Sequence, residues 1–155
     1  MKRAFFLATQ VLLILTAVGK LAGAVEWTAG HAAKEPVVHF ISAREMLIVA
    51  AMLELLAVVG IWLSRTDLTK ALWPFWLSML FTGYRLELWY IGFTGYCSCF
   101  GSWSTWMHLS KEQVNLMAIF MIAFMLLGST AIIASELIHQ RKSVAGSDLE
   151  AKPTS

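Results

Sequence analysis

Residues 45–64 read Glu45-Met-Leu-Ile-Val-Ala-Ala-Met-Leu-Glu54-Leu-Leu-Ala-Val-Val-Gly-Ile-Trp-Leu-Ser64, with Glu54 the one ionisable side chain after the opening Glu45. Such a run is too long and too apolar for a sheet strand, whereas a helix needs roughly 20 apolar residues to cross a hydrocarbon core. Three more runs share its character, approximately Ala4–Val25, Ala71–Phe93 and Val114–Ile138. Composition agrees, since 58% hydrophobic residues in a chain of 155 exceed, and 14% charged residues fall below, what a water-soluble domain carries. The chain reads as an all-α integral membrane protein with four transmembrane helices.

Helix starts are marked independently of hydropathy. Ser42-Ala-Arg-Glu45 and Ser110-Lys-Glu-Gln113 are capping-box patterns just ahead of the second and fourth runs. Pro74 lies near the start of the third, where a first helical turn tolerates it; a start nearer Asp67 would put it inside the helix. The connections are a first loop, a short link Arg65–Lys70 and a Trp- and Gly-rich loop Thr94–Gln113. Four spans so connected predict an up-down-up-down bundle over residues 1–142, followed by a polar, disordered cytoplasmic tail at 143–155. Gly19-Lys-Leu-Ala-Gly23 has the small-xxx-small spacing that lets helices approach closely.

Lys and Arg outside the spans set the orientation. Lys2, Arg3, Arg65, Lys70, Arg141, Lys142 and Lys152 fall on one side, against Lys34, Arg44 and Lys111 on the other. By the positive-inside rule both termini are cytoplasmic, and the first loop and Thr94–Gln113 face the periplasm or cell exterior of a bacterial inner membrane. Trp62, Trp73 and Trp76 then mark the cytoplasmic interface, and Trp27, Trp89, Trp103 and Trp106 the outer one. Met1-Lys-Arg, an apolar core and Ala22-Gly-Ala24 imitate a cleavable signal peptide, but the apolar stretch is long for one and Lys20 is unusual beside a cleavage site. The formal net charge of +2 is too small and too dispersed to point to nucleic acid.

Two features carry chemistry. Lys20, Glu54, Arg85 and Glu87 lie within apolar runs, where an unpaired charge at mid-bilayer costs roughly 2.5–3.5 kcal/mol, so they should face one another or water. Counting ~1.5 Å per residue from the outer span ends places Lys20 ~8 Å deep, Glu54 ~14 Å, Arg85 ~12 Å and Glu87 ~9 Å, all in the outer half. Arg85 and Glu87, two apart, cannot point the same way on one helix. These charges read either as an ion pair, such as Lys20 with Glu54, that fixes helix register, or as a proton and ligand site able to hold a quinone headgroup. Tyr84 and Tyr90 flank the same level as possible hydrogen-bond donors, or as interface anchors.

The second feature is Tyr96-Cys97-Ser98-Cys99-Phe100-Gly101, which holds both cysteines of the chain. On the oxidising side of the membrane a disulfide can form and persist. A ring closed across one intervening residue is strained and exchanges readily, and it shortens the unfolded chain too little to act as a staple. The alternatives are an inert pair, or a soft-metal site such as Cu(I) with Met107 and His108 joining Cys97 and Cys99. His31 and His39 in the first loop read as solvated.

These residues resemble the MauE/DoxX group of small membrane proteins, especially its MauE-like branch: Gly19-Lys20-Leu21 late in the first span, Glu54 within the second, and Cys97-Ser-Cys-Phe-Gly101 after the third. The resemblance covers most of residues 1–140. Ser98 stands where MauE-like proteins commonly have Gly, and Arg85 and Glu87 have no assigned place in the pattern. The resemblance implies a four-helix membrane protein of thiol and disulfide handling outside the cytoplasm. MauE works beside a thioredoxin-like partner in maturing a disulfide-rich dehydrogenase, and DoxX relatives are linked to thiol oxidation, in some cases with quinone as acceptor. With two cysteines there is no second internal pair to relay electrons, so Cys97 and Cys99 would pass them directly to a membrane acceptor or exchange with a partner protein. The competing classes are a non-catalytic scaffold for a maturation complex and a small transporter or copper-handling protein using Lys20 and Glu54.

Overall fold

The computed structural model describes residues 2–25, 37, 41–92, 108 and 110–150, with backbone alone at 111 and 142–150. Four helices make up the described chain: α1 (Lys2–Val25), α2 (Ala43–Leu63), α3 (Asp67–Tyr90) and α4 (Lys111–Glu150). Both marked starts are capped as their sequence patterns require. Glu45 N–H donates to Ser42 Oγ at 3.3 Å while Ser42 N–H donates to the Glu45 carboxylate at 2.8 Å. At α4, Gln113 N–H donates to Ser110 Oγ at 3.3 Å and Ser110 N–H to Gln113 Oε1 at 2.9 Å. Each box satisfies two amide donors that the first turn leaves without an intrahelical acceptor.

The largest departures from the expected boundaries are at the start of α3 and the end of α4. Thr66 caps α3, its Oγ1 accepting from Thr69 N–H at 3.2 Å, so the helix begins at Asp67 and Pro74 lies inside it. Proline has no N–H to return to the Lys70 carbonyl. At the other end α4 runs on to Glu150, beyond Ile138 and into the stretch read as a disordered tail at 143–155. Residues 143–150 read Ser-Val-Ala-Gly-Ser-Asp-Leu-Glu, mostly weak helix formers, so the extension draws on the many turns already nucleated ahead of it and not on local propensity.

Helix pairing follows the connections. α1 packs chiefly on α2, α3 on α4, and α2 on α3 across the link Ser64–Thr66. Two clusters each draw one buried residue from every helix: Phe6, Ile61, Ala71 and Ile132 near the chain termini, then Leu13, Ala57, Leu77 and Met125 one level further along. Chain position runs in opposite senses on successive helices through these layers, so the bundle is antiparallel throughout. We call the end carrying Lys2 and the α2–α3 link the termini end, and the other the far end.

The buried side chains recur at helical spacing: Phe6, Thr9, Leu13, Thr16, Lys20 and Ala24 on α1, and Leu47, Ala51, Glu54, Ala57 and Ile61 on α2. Spacings of three and four make one inward stripe per helix, and Lys20 and Glu54 occupy stripe positions. Gly60 and Gly128 permit close contact, because a Cβ at Gly60 would lie 2.2 Å from the Trp73 ring and one at Gly128 2.0 Å from the Phe5 ring.

The outer surface is apolar. Leu7, Val11 and Val18 of α1, Met52 and Leu56 of α2, and Leu116, Phe120 and Leu127 of α4 are exposed around the circumference. A belt this continuous belongs in lipid. α1, α2 and residues 112–141 of α4 are long and apolar enough to cross a membrane. α3 matches α1 at 24 residues but carries Trp73, Pro74, Trp76, Tyr84, Arg85 and Glu87, which lower its hydropathy. Its exposed Trp76 and Trp89 lie ~20 Å apart along the helix, a spacing that suits two aromatic interface belts.

Candidate functional site

Lys20 is held on the inner stripe of α1 one turn beyond Thr16, whose hydroxyl donates back to Leu12 O at 3.0 Å and Leu13 O at 3.1 Å. From there its Nζ donates to Glu54 Oε1 on α2 at 2.6 Å. The two side chains are 4% and 1% exposed, so the pair is enclosed within the bundle. The ring of Phe81 on α3 lies 5.7 Å from the ammonium and presents its negative π-face to the same charge. Glu54 Oε2 is buried without a hydrogen-bond partner. A charge pair of this kind holds only because each member neutralises the other; removing either leaves an uncompensated ion in a medium that cannot solvate it.

Beside the pair lies a cavity of ≈ 290 Å³ in the far-end half of the bundle. Ala43 and Met46 line it towards the far end, Leu13 and Met125 towards the bundle middle, and Lys20 and Glu54 form part of its wall. Its remaining polar lining comes from Tyr84 and Arg85 on α3. The α3 stripe runs Ala71, Pro74, Ser78, Phe81, Arg85, Leu88 at alternating spacings of three and four. Phe81 and Arg85 are only partly covered and line the cavity, Phe81 while also packing against Leu13, Ala57, Leu77 and Met125. Arg85 Nη2 donates to Asn115 Oδ1 on α4, and its Nη1 is buried with no partner.

The structure therefore gathers Lys20, Glu54, Tyr84 and Arg85 around one cavity. Glu87, two positions past Arg85, is exposed on another face of α3, and Tyr90 at the helix end is also exposed. Since α3 ends at Tyr90 and not Phe93, Arg85 is ~8 Å from the far end of its helix, shallower than the sequence count gave. Cys97, Cys99 and Met107 lie outside the described residues, as do His31 and His39. His108 is described, exposed and at φ 49, with its possible metal-binding companions all outside the description. Among the described residues no cluster of three or more His, Cys, Asp or Glu side chains forms a metal site.

Sequence reasoning missed Asn115 and Phe81. Asn115 carries a legible signal in retrospect: it is an amide one turn into an apolar helix, at the depth of an unmatched arginine. Phe81 carries none, because a phenylalanine in an apolar run is ordinary.

The family model described as methylamine utilisation protein MauE matches residues 3–141. No curated protein and no solved structure matches the chain. A match of that extent takes in all four helices up to the point where α4 leaves its apolar run, including the Lys20–Glu54 pair and the cavity beside it. The protein belongs to the MauE family of membrane proteins.

Proposed function

We propose that this protein is the membrane component of a thiol–disulfide redox system in a bacterial inner membrane, with the far end facing the periplasm. A thiolate of a periplasmic thioredoxin-like partner attacks the Cys97–Cys99 disulfide and forms a mixed disulfide. The second partner thiol resolves it, leaving the partner oxidised and Cys97 and Cys99 as two thiols. Their reoxidation releases two electrons and two protons, for which a membrane quinone is the acceptor. The observation that supports this reading is the polar-lined apolar cavity beside the Lys20–Glu54 pair. It lies in the half of the bundle from which the Cys loop departs, and Cys97 is seven residues past the end of α3 at Tyr90.

The lining fits a quinone head: an apolar chamber, a guanidinium able to donate to a carbonyl oxygen, and a carboxylate with one oxygen free to accept from a quinol hydroxyl. Bound there, a quinone supplies a two-electron, two-proton sink. The chain's own residues orient the head and exclude water.

The test is the redox state of Cys97 and Cys99 in purified protein, trapped with an alkylating reagent during turnover with a reduced dithiol and decylubiquinone. The pair should cycle, and Cys97→Ser/Cys99→Ser protein should insert normally yet oxidise no dithiol. A second reading has one observation in its favour, the near-complete enclosure of Lys20 and Glu54, which suits a register lock in a non-catalytic scaffold. If the double Cys→Ser protein supports full function in cells, the scaffold reading replaces the redox one. A transporter would instead ignore the cysteines and fail on Glu54→Gln.

A further inference from the structure

Arg85 brings to the cavity wall a charge that nothing described neutralises. The ion pairs among the described residues join Lys2 to Asp67 and Glu136, Lys20 to Glu54, and Lys70 to Asp67, and none includes it. One terminal nitrogen is held by the neutral amide of Asn115, and the other is buried without an acceptor. A buried guanidinium nitrogen with no acceptor is costly, so the missing oxygen is the feature to explain. On its outer side the cavity is bounded by Val49, Leu53 and Leu80, which are 46%, 37% and 47% exposed. These exposed side chains put the α2–α3 side of the cavity against the apolar belt, the side from which a ligand dissolved in the bilayer would enter.

We propose that Arg85, positioned by Asn115, is the head-group contact for a quinone that enters sideways between α2 and α3. A carbonyl oxygen of the head accepts from the guanidinium, and the isoprenoid tail lies past Val49, Leu53 and Leu80 among the lipid chains. The assignment rests on the reading that thiol-derived electrons leave on a quinone. Asn115 matters here because it is neutral. Its amide oxygen fixes the guanidinium plane while leaving the positive charge available, whereas an aspartate would hold the same geometry and cancel the charge. A merely structural α3–α4 link would be strengthened by that change, and a binding site would be weakened, so one substitution separates the two roles.

The experiment uses the full chain in nanodiscs of zwitterionic lipid, titrated with decylubiquinone and followed by tryptophan quenching. Asn115→Asp should keep or raise the unfolding temperature while affinity falls about tenfold or more, the size expected for losing a hydrogen bond from a charged donor. Arg85→Gln should show the same loss, with Arg85→Lys in between. Unchanged affinity in Asn115→Asp and Arg85→Gln would overturn the proposal. So would suppression of decylubiquinone binding by phosphatidylglycerol at equal mole fraction, because a lipid phosphate would then be the occupant. Dithiol oxidation separates this proposal from the reading beneath it. If turnover survives Asn115→Asp with an unaltered KM for quinone, the site is wrong and the redox role stands. If Cys97→Ser/Cys99→Ser protein still oxidises dithiol, the redox role is wrong while the binding titration continues to judge Arg85.

Discussion

Lys20 and Glu54 are enclosed by the bundle, so each charge is stabilised chiefly by the other. Breaking a buried pair from one side costs about 3–5 kcal/mol, whereas replacing both members by apolar side chains of similar volume is often neutral. Lys20→Met and Glu54→Leu alone should therefore each lower the unfolding midpoint strongly in detergent titration, and Lys20→Met/Glu54→Leu should recover most of it. The recovered protein also separates structure from chemistry, since a proton or ligand role predicts that it folds but does not turn over. Both residues were legible in sequence as charges within apolar runs, and their stripe positions made a mutual contact natural. That Glu54 would keep one oxygen unsatisfied, and that Phe81 would face the ammonium, depended on how three helices meet and had no local signature.

Among the elements, the helix starts were the most readable feature, because a capping box is a local bargain between four consecutive residues. Ser42→Ala removes the acceptor for Glu45 N–H and should cost about 1 kcal/mol, read as a shift in thermal unfolding. The start of α3 was less readable, since Pro74 suits a first turn and Thr66 nonetheless captures the chain one turn earlier. Packing between elements adds a different prediction. A methyl group at Gly128 collides with the Phe5 ring, so Gly128→Ala should destabilise the α1–α4 contact by about 1–3 kcal/mol, the usual cost of overpacking. Adding Phe5→Leu should return part of that loss in the same assay, which a general intolerance of Gly128 to substitution would not allow.

For the whole molecule, membrane embedding follows from the exposed apolar circumference, and the distribution of Lys and Arg argues for both termini on the cytoplasmic side. In a Cys97→Ser/Cys99→Ser background, Thr66→Cys in the α2–α3 link should react with an impermeant maleimide only after the membrane is opened. In the unsubstituted chain, Cys97 and Cys99 should react in intact spheroplasts once reduced. The reverse pattern would invert the bundle and remove the Cys loop from the oxidising compartment.

The sequence by itself determined the class, the four helices and the charges that had to be buried, because hydropathy, caps and the cost of an isolated ion in lipid are written residue by residue. Tertiary structure alone decided that Arg85 turns towards a cavity while Glu87 turns away, that Asn115 holds the guanidinium, and that exposed side chains of α2 and α3 border the cavity. The physical reason is that these are properties of facing surfaces. A cavity is the space that several helices fail to fill together, and no single helix carries a record of it.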